Sequence, residues 1–273
     1  ITQKGTTMII ADYHTHTYFS SDSNTEPEAQ IQSALKKGLS YLCFTDHEDM
    51  DYCYPDEFQL DLPSYTASME KLRNRYQNQI QLGIGIEIGL QPHLSQKLSD
   101  FVSGYPFDFI IGSSHMVQHM DPYFPEFWNG RSQKDCILAY YEDTLKNIQQ
   151  FDCFDVYGHI DYIIRYRPDK TQPYHYLDYS DILDEILKTL IQKGKGIECN
   201  TAGFKYGLNQ PNPERALLTR YKELGGEILT IGSDAHKPMH IAYDFEKLPA
   251  LLNECGFQYY TIFHNRSPKF LPI

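Results

Sequence analysis

Met8-Ile9-Ile10-Ala11-Asp12-Tyr13-His14-Thr15-His16 is the stretch on which the fold turns. A run of apolar and β-forming residues that closes on His-x-His reads as a strand with two imidazoles at its end. Along a strand, residues two apart point to the same face, with Cα atoms roughly 6.5–7 Å apart. His14 and His16 therefore reach toward one metal ion, while Tyr13 and Thr15 turn away. An isolated His-x-His is a weak signal, since short motifs match by accident. Its weight depends on what ends the other strands.

The 273 residues suffice for one large domain or two small ones, and 41% hydrophobic with 22% charged residues is an ordinary globular composition. The formal charge of −12 argues against a surface built to bind nucleic-acid backbone. No apolar run approaches the roughly 18 residues of a membrane span, and no signal-peptide pattern opens the chain. Residues 1–7, ahead of the first strand, read as a cloning remnant or a flexible leader. None of the six cysteines (Cys43, Cys53, Cys136, Cys153, Cys199, Cys255) falls in a Cys-x-x-Cys. They read as reduced thiols in a cytoplasmic protein rather than zinc ligands.

Outward from the first strand (8–14), β-rich runs alternate with amphipathic ones. Thr25 is the expected N-cap of a helix with Pro27 in its first turn and Gly38 at its end. Strands follow at 39–45, 80–88, 107–113, 155–158, 196–199 and 227–231. The expected helices lie between them, at 63–77, 92–102, 133–149, up to 192 and up to 224. A last helix (244–254) and an extended segment (258–263) close the chain. Aromatic loops occupy 49–61, 121–130, 162–179 and 202–213. Alternation of this kind predicts βαβ units and a parallel sheet. Seven units in one domain-sized chain favour a closed (β/α) barrel over an open sheet. No Gly-x-Gly-x-x-Gly follows the first strand, so a dinucleotide fold has no support.

The candidate ligands fall at the strand ends. His14 and His16 close the first strand, His47 the second, Glu87 the third, His115 the fourth and His159 the fifth; Asp234 and His236 close the seventh. Six of the 11 histidines occupy such positions. In parallel barrels the active site lies at the C-terminal mouth, so polar strand ends converge there. Asp234-x-His236 repeats the spacing of His14-x-His16. Asp22, in the loop beyond the first strand, is a further candidate.

These motifs have a family likeness. His14-Thr15-His16, Thr45-Asp46-His47, Gly85-Ile86-Glu87, Gly112-Ser113-Ser114-His115, Gly158-His159-Ile160-Asp161 and Gly232-Ser233-Asp234-Ala235-His236 resemble, in order and across nearly the whole chain, the polymerase-and-histidinol-phosphatase (PHP) family. The loop from His119 to Pro125, Arg165 and the tail Tyr259-Tyr260-Thr261-Ile262-Phe263 resemble its histidinol-phosphate phosphatase branch. The resemblance implies a single-domain, distorted (β/α)7 barrel over residues 8–273, TIM-like, with a trinuclear metal site at the C-terminal mouth. It implies that His14, His16, Glu87 and Asp234 hold one ion, that Glu87 with His115 and His159 holds the second, and that Asp22, His47 and His236 hold the third. Many family members carry His where this chain has Asp22. Three divalent transition-metal ions would outweigh the carboxylates of Asp22, Glu87 and Asp234, leaving a pocket that attracts a phosphate dianion. Mixed N and O ligands suit Zn, Mn or Fe without choosing among them.

The expected reaction is hydrolysis of a small phosphomonoester by in-line attack of metal-activated water on phosphorus, with Glu87 and Asp234 at its centre. From the resemblance, the substrate is L-histidinol phosphate and the pathway histidine biosynthesis. Arg165 is the expected bidentate phosphate contact, with Arg131 and Arg167 as lesser candidates. Asp161 and water on the metal are the two candidate proton donors to the leaving group. Asp46 and Asp161 also suit a role in orienting histidines. Asn200, at the sixth strand end, either contacts substrate or braces a loop. Two rivals remain open at this stage. One is a PHP-type phosphodiesterase or exonuclease, disfavoured by the acidic balance. The other is a non-catalytic metal-binding protein. The oligomeric state is not legible.

Overall fold

The computed structural model describes residues 8–273; the expectation of a remnant or leader at 1–7 lies outside the described residues. Seven parallel staves follow one another in the order β1-β2-β4-β5-β6-β7-β8. They are β1 (Ala11–Thr15), β2 (Tyr41–Phe44), β4 (Gln81–Gly89), β5 (Phe109–Ser113), β6 (Val156–Tyr157), β7 (Gly196–Asn200) and β8 (Leu229–Gly232). β3 (His47–Glu48) resumes the second stave after a two-residue break and pairs with β4. The helices are α1 (Pro27–Lys36), α2 (Leu62–Tyr76), α3 (Ser95–Ser103), α4 (Gln133–Gln150), α5 (Ser180–Gln192), α6 (Ala202–Lys205), α7 (Arg215–Glu223) and α8 (Leu248–Glu254). The result is the expected TIM-like (β/α)7 barrel, nearly closed.

β4 explains how one strand serves both core and site. Its residues alternate between isoleucines (Ile84, Ile86, Ile88), all buried, and a face of Gly83, Gly85, Glu87 and Gly89. Alternation along a strand puts these sets on opposite sides. The isoleucines go to the apolar layer under the helices, and Glu87 points inward. A Cβ on Gly89 would overlap the carboxylate of Asp49, so the glycine leaves the seat that Asp49 occupies.

The ring closes between β8 and β1 by an unusual seam. Among the described residues only the isolated bridge Thr15–Ala235 continues the ladder, with His16 N donating to Ala235 O (3.0 Å) and Ala235 N to His14 O (3.3 Å). Deeper in, a side chain replaces backbone. The buried carboxylate of Asp12 accepts from Ser233 N (2.9 Å), Ser233 Oγ (2.5 Å) and Ala242 N (2.9 Å).

The end opposite the mouth is sealed by an antiparallel hairpin, β9 (Tyr259–His264) with β10 (Ser267–Pro272). Tyr13 Oη donates to Phe263 O (2.8 Å), Leu229 N donates to Thr261 Oγ1 (3.1 Å), and Asn265 N donates to Asp108 Oδ1 (3.1 Å). The hairpin thus grips three staves, β1 at Tyr13, β8 at Leu229 and β5 at Asp108 just ahead of its first residue.

Local expectations need four corrections. Thr25 does not cap α1; Glu26 precedes its first turn without a side-chain cap, and the Thr25 hydroxyl instead donates to His236 O at 2.7 Å. The expected loop 202–213 begins with a helical turn, α6. The last helix starts at Leu248, behind a 3-10 turn at Phe245–Lys247. β10 was unforeseen: Ser267–Pro272 has a proline near each end, which in sequence argues against a strand. It survives because it is the outer strand of a two-stranded ribbon.

Candidate metal centre

All eight strand-end ligand candidates converge at the mouth, and Asp22 joins them from the β1–α1 loop. Glu87, fully buried, stands at the centre, and its two oxygens face different imidazoles. Oε2 lies 2.9 Å from His14 Nε2, 3.4 Å from His47 Nδ1 and 3.5 Å from His16 Nε2. Oε1 lies 3.0 Å from His159 Nε2 and 3.3 Å from His115 Nε2 and accepts from Ser113 Oγ (2.7 Å). Asp234 Oδ1 lies 3.5 Å from His16 Nε2 and from His236 Nδ1. Asp22, the most exposed of the nine, reaches His236 Nε2 at 2.9 Å and His47 Nε2 at 4.0 Å. Four triads have their ligand atoms within 4.8 Å of one another: His14, His16, Asp234; His14, Glu87, His159; His47, Glu87, His115; and His16, His47, His236.

Three imidazoles have their tautomer set by an acceptor behind them. His14 Nδ1 donates to Glu198 Oε1 (2.6 Å), and His115 Nδ1 donates to Asp49 Oδ1 (2.7 Å). Ser20 Oγ donates to Asp46 (2.7 Å) and so accepts from His16 Nδ1 (3.2 Å). A ring that donates through Nδ1 presents the lone pair of Nε2 to the centre, which is how second-partner contacts orient metal-binding histidines.

The donor set fits metal ions. His16 Nε2 and His47 Nδ1 are buried without a hydrogen-bond partner, although carboxylate oxygens lie within 3.5 Å of each. The oxygens are near but off the line a hydrogen bond needs. A buried polar atom left unpaired costs about 1–3 kcal/mol; an ion between nitrogen and oxygen satisfies both. The electrostatics agree. Burial alone would push the imidazole of His47 down, but Glu87, Asp49 and Asp22 outweigh it and lift it to about 9. Burial is likewise outweighed at His14, by Glu198, Glu87 and Asp234, and at His115, by Asp49 and Glu87; both rise well above the usual range. His16 goes the other way, depressed by burial and by the neighbouring rings of His236 and His47. With no ion, protons hold this cluster together, and an ion must displace them.

That competition has a sign. Below about pH 9 the metal-free His47 carries a proton, whereas an imidazole bound to metal is neutral. Metal affinity therefore rises with pH, up to about tenfold per unit for each displaced proton, and the His47 contribution levels off above pH 9. Titration calorimetry of chelator-stripped protein at pH 7, in buffers of differing ionisation enthalpy, will show proton release that shrinks toward pH 9.5. Buffer-independent heats at pH 7 would contradict the assignment.

The remaining site candidates separate clearly. Arg165 is buried beside the cluster. Nη1 donates to Asp234 Oδ2 (3.2 Å), Nε to Asn212 Oδ1 (2.9 Å) and Nη2 to Asn200 Oδ1 (3.3 Å). Its guanidinium carbon lies 5.3 Å from the ring of Tyr162 and 5.1 Å from that of Tyr206. It lines an open cleft of about 480 Å³ that runs over Glu87 and His159. Asn200 does not line this cleft; it braces Arg165 and donates to Glu198 Oε2 (3.1 Å). Three expectations are corrected. Arg131 is turned away, donating to Phe127 O (3.1 Å) with its guanidinium over the Phe127 ring, and Arg167 donates to Gln172 O (2.9 Å). Asp161 touches neither a histidine nor the cleft; it accepts from Asn212 Nδ2 (2.6 Å) and Glu214 N (2.8 Å), fastening the turn that carries Asn212 to Arg165. Asp46 accepts from Thr17 N (2.6 Å) and Ser20 Oγ, reaching His16 only through Ser20.

Sequence reasoning missed Asp49 and Glu198. Asp49 is held down to about 2 because the imidazoles of His115 and His47 outweigh its burial. Glu198 also accepts from His159 N (3.0 Å). A Cβ on Gly232 would run into Glu198 Oε1 and His14 Cβ, so that glycine makes room for the pair. The usable signal was spacing: Asp49 stands two residues after His47, and Glu198 two before Asn200. With these two carboxylates present, the positive excess expected of an ion-loaded pocket is smaller than Asp22, Glu87 and Asp234 alone imply. Lys205, also unforeseen, donates to Asp234 O at 3.3 Å. Asp234 itself sits at φ 53°, a conformation rare for a residue with a side chain, and is held there by Arg165 and Lys205.

Comparison with known proteins agrees with this geometry. A model of the PHP domain matches residues 12–202. The chain is 32% identical to a histidinol-phosphatase of Lactococcus lactis, over 90% of this chain and 91% of that protein. It is 31% identical to a probable histidinol-phosphatase of Clostridium acetobutylicum, over 92% and 95% of the two chains. A crystal structure of histidinol phosphate phosphatase from L. lactis, complexed with zinc, L-histidinol and phosphate, superposes with a TM-score of 0.89 at 30% identity, covering 95% of this chain and 98% of that one.

Proposed function

The chain belongs to the PHP-domain family, in its histidinol-phosphatase branch, and from that premise we infer that it is a metal-dependent phosphomonoesterase hydrolysing L-histidinol phosphate to L-histidinol and phosphate. The observation that carries the reading is Glu87 with its two oxygens shared between two sets of imidazoles, under a cleft walled by Arg165. Among the described residues no helix is long and apolar enough to cross a membrane. Six free thiols, four of them buried, suit a reducing compartment, and we assign the reaction to the cytoplasm.

The site is assigned three divalent ions. His14, His16, Asp234 and Glu87 Oε2 would hold one; His115, His159 and Glu87 Oε1 a second; His47, His236 and Asp22 the third. When bound, the ions supply Lewis acidity toward water and toward the phosphoryl oxygens. The protein's own part is positioning. Glu198, Asp49 and Ser20 fix the imidazoles that the ions need. Arg165 has five N–H donors and spends three on Asp234, Asn212 and Asn200. The two left over are assigned to phosphoryl oxygens, whose planar spacing the guanidinium fork matches. The rings of Tyr162 and Tyr206 hold that fork in plane.

The test is phosphate release from L-histidinol phosphate by chelated protein reloaded with Zn, Mn or Fe, beside nucleotide release from single-stranded DNA. Phosphate release restored by metal, with no nucleotides, is the expected result. Nucleotide release with an inert phosphomonoester would overturn the assignment.

A further inference from the structure

We propose that Asp121 holds the primary ammonium of the substrate and thereby sets the preference for amino-alcohol phosphates over other small phosphate esters. The proposal rests on the phosphatase reading above. Five carboxylates line the cleft: Asp22, Asp49, Glu87, Asp121 and Asp234. Four of them face imidazoles or Arg165 within 4.0 Å. Asp121 is the exception. Among the described residues it makes no ion pair within 4.0 Å, its nearest imidazole influence being the more distant His115, and its bonds come from neutral groups, Tyr52 Oη to Oδ2 (2.8 Å) and Tyr123 N to Oδ1 (2.7 Å).

Asp121 is only 5% exposed. An ionised carboxylate accepts about four hydrogen bonds, and here two are made. A buried anion without a counter-charge is costly, and the cost is relieved by whatever cation enters. Burial alone accordingly pushes this carboxyl upward. The tyrosines beside it add to the selection, because aromatic faces attract a desolvated cation. The layout also gives the substrate a direction. From Asp121 the Tyr52 ring packs on Phe58 (4.8 Å), and Phe58 packs on His47 (5.2 Å). The rings of Tyr52 and Phe58 therefore stand between Asp121 and His47. A phosphoryl group at the cluster and a nitrogen at Asp121 are the two ends of one small zwitterionic ester. The ammonium is preferred to the imidazole because it carries a full charge at neutral pH.

The experiment compares kcat/KM for L-histidinol phosphate with that for 3-(imidazol-4-yl)propyl phosphate, which lacks only the amino group. The metal-loaded protein should favour the amine by about a hundredfold. In Asp121→Asn that ratio should fall at least about tenfold, chiefly through KM for the amine. An unchanged ratio, or an equal loss on both esters, would show a merely structural role and overturn the proposal. Should Asp121→Asn not fold, Asp121→Glu keeps the charge but moves it by one methylene, and the same ratio must shift at least about threefold; no shift overturns the proposal there too. Failure of the phosphatase reading is distinct, since the unsubstituted protein would then release phosphate from neither ester.

Discussion

Glu87→Ala loses at least about a thousandfold in kcat/KM for L-histidinol phosphate, about 4 kcal/mol of transition-state stabilisation, and purifies with less metal. The substitution removes the one group that faces both sets of imidazoles. His14, His115 and His159 each lose the oxygen opposite Nε2, and Ser113 loses its acceptor. The fold survives, because β4 remains paired to β2 and β3 on one side and β5 on the other. Elemental analysis, steady-state kinetics and far-UV circular dichroism check the three parts. A variant with full metal content and activity within tenfold of the parent would remove Glu87 from the centre of the site.

Arg165→Ala is the second large effect. It withdraws the guanidinium from a buried position and leaves the acceptors on Asp234 and Asn212 unpaired, while Asn200 Oδ1 keeps only its bond from Ala202 N (2.9 Å). Breaking one side of a buried ion pair costs about 3–5 kcal/mol, so the melting temperature falls. Activity falls about a hundred- to a thousandfold, with KM rising and kcat dropping, since the fork is assigned to the phosphate in both ground and transition states. Arg165→Lys restores the charge without the planar fork. It should recover no more than about tenfold, because a point charge cannot serve Asp234, Asn200 and Asn212 together. A lysine variant equal to the parent would show that charge alone was needed.

Most of the barrel and the ligand set could be read without coordinates, for one reason. Strands have a period of two, and a histidine at a strand end points where its neighbour two residues away points. That logic holds for His14 with His16. It fails where the strand stops. β6 ends at Tyr157, so His159 already lies beyond the regular backbone and a 3-10 turn follows at Tyr162. Asp161, two residues after His159, therefore does not share its direction and falls on the Asn212 turn instead. Asp49 and Glu198 escaped for the opposite reason. Asp49 lies beside the ligand His47 and Glu198 beside the site residue Asn200, but the ring each orients belongs to another stave, His115 and His14 respectively. Only the register between strands brings them together. The terminal hairpin turn was obscure too: Asn265 and Arg266 both take positive φ (47° and 60°), but the pair lacks the glycine that announces such a turn.

The seam between β8 and β1 has a consequence of its own. The two segments that meet across it, ending in His14-Thr15-His16 and Asp234-Ala235-His236, carry four of the assigned ligands. Backbone pairing there is a single bridge, backed by the Asp12 carboxylate. Cations seated between those four side chains would act as rivets across the weakest joint of the ring. The stripped protein would then breathe along this one line, opening like a barrel with a loosened hoop, while the loaded protein would behave as a continuous cylinder.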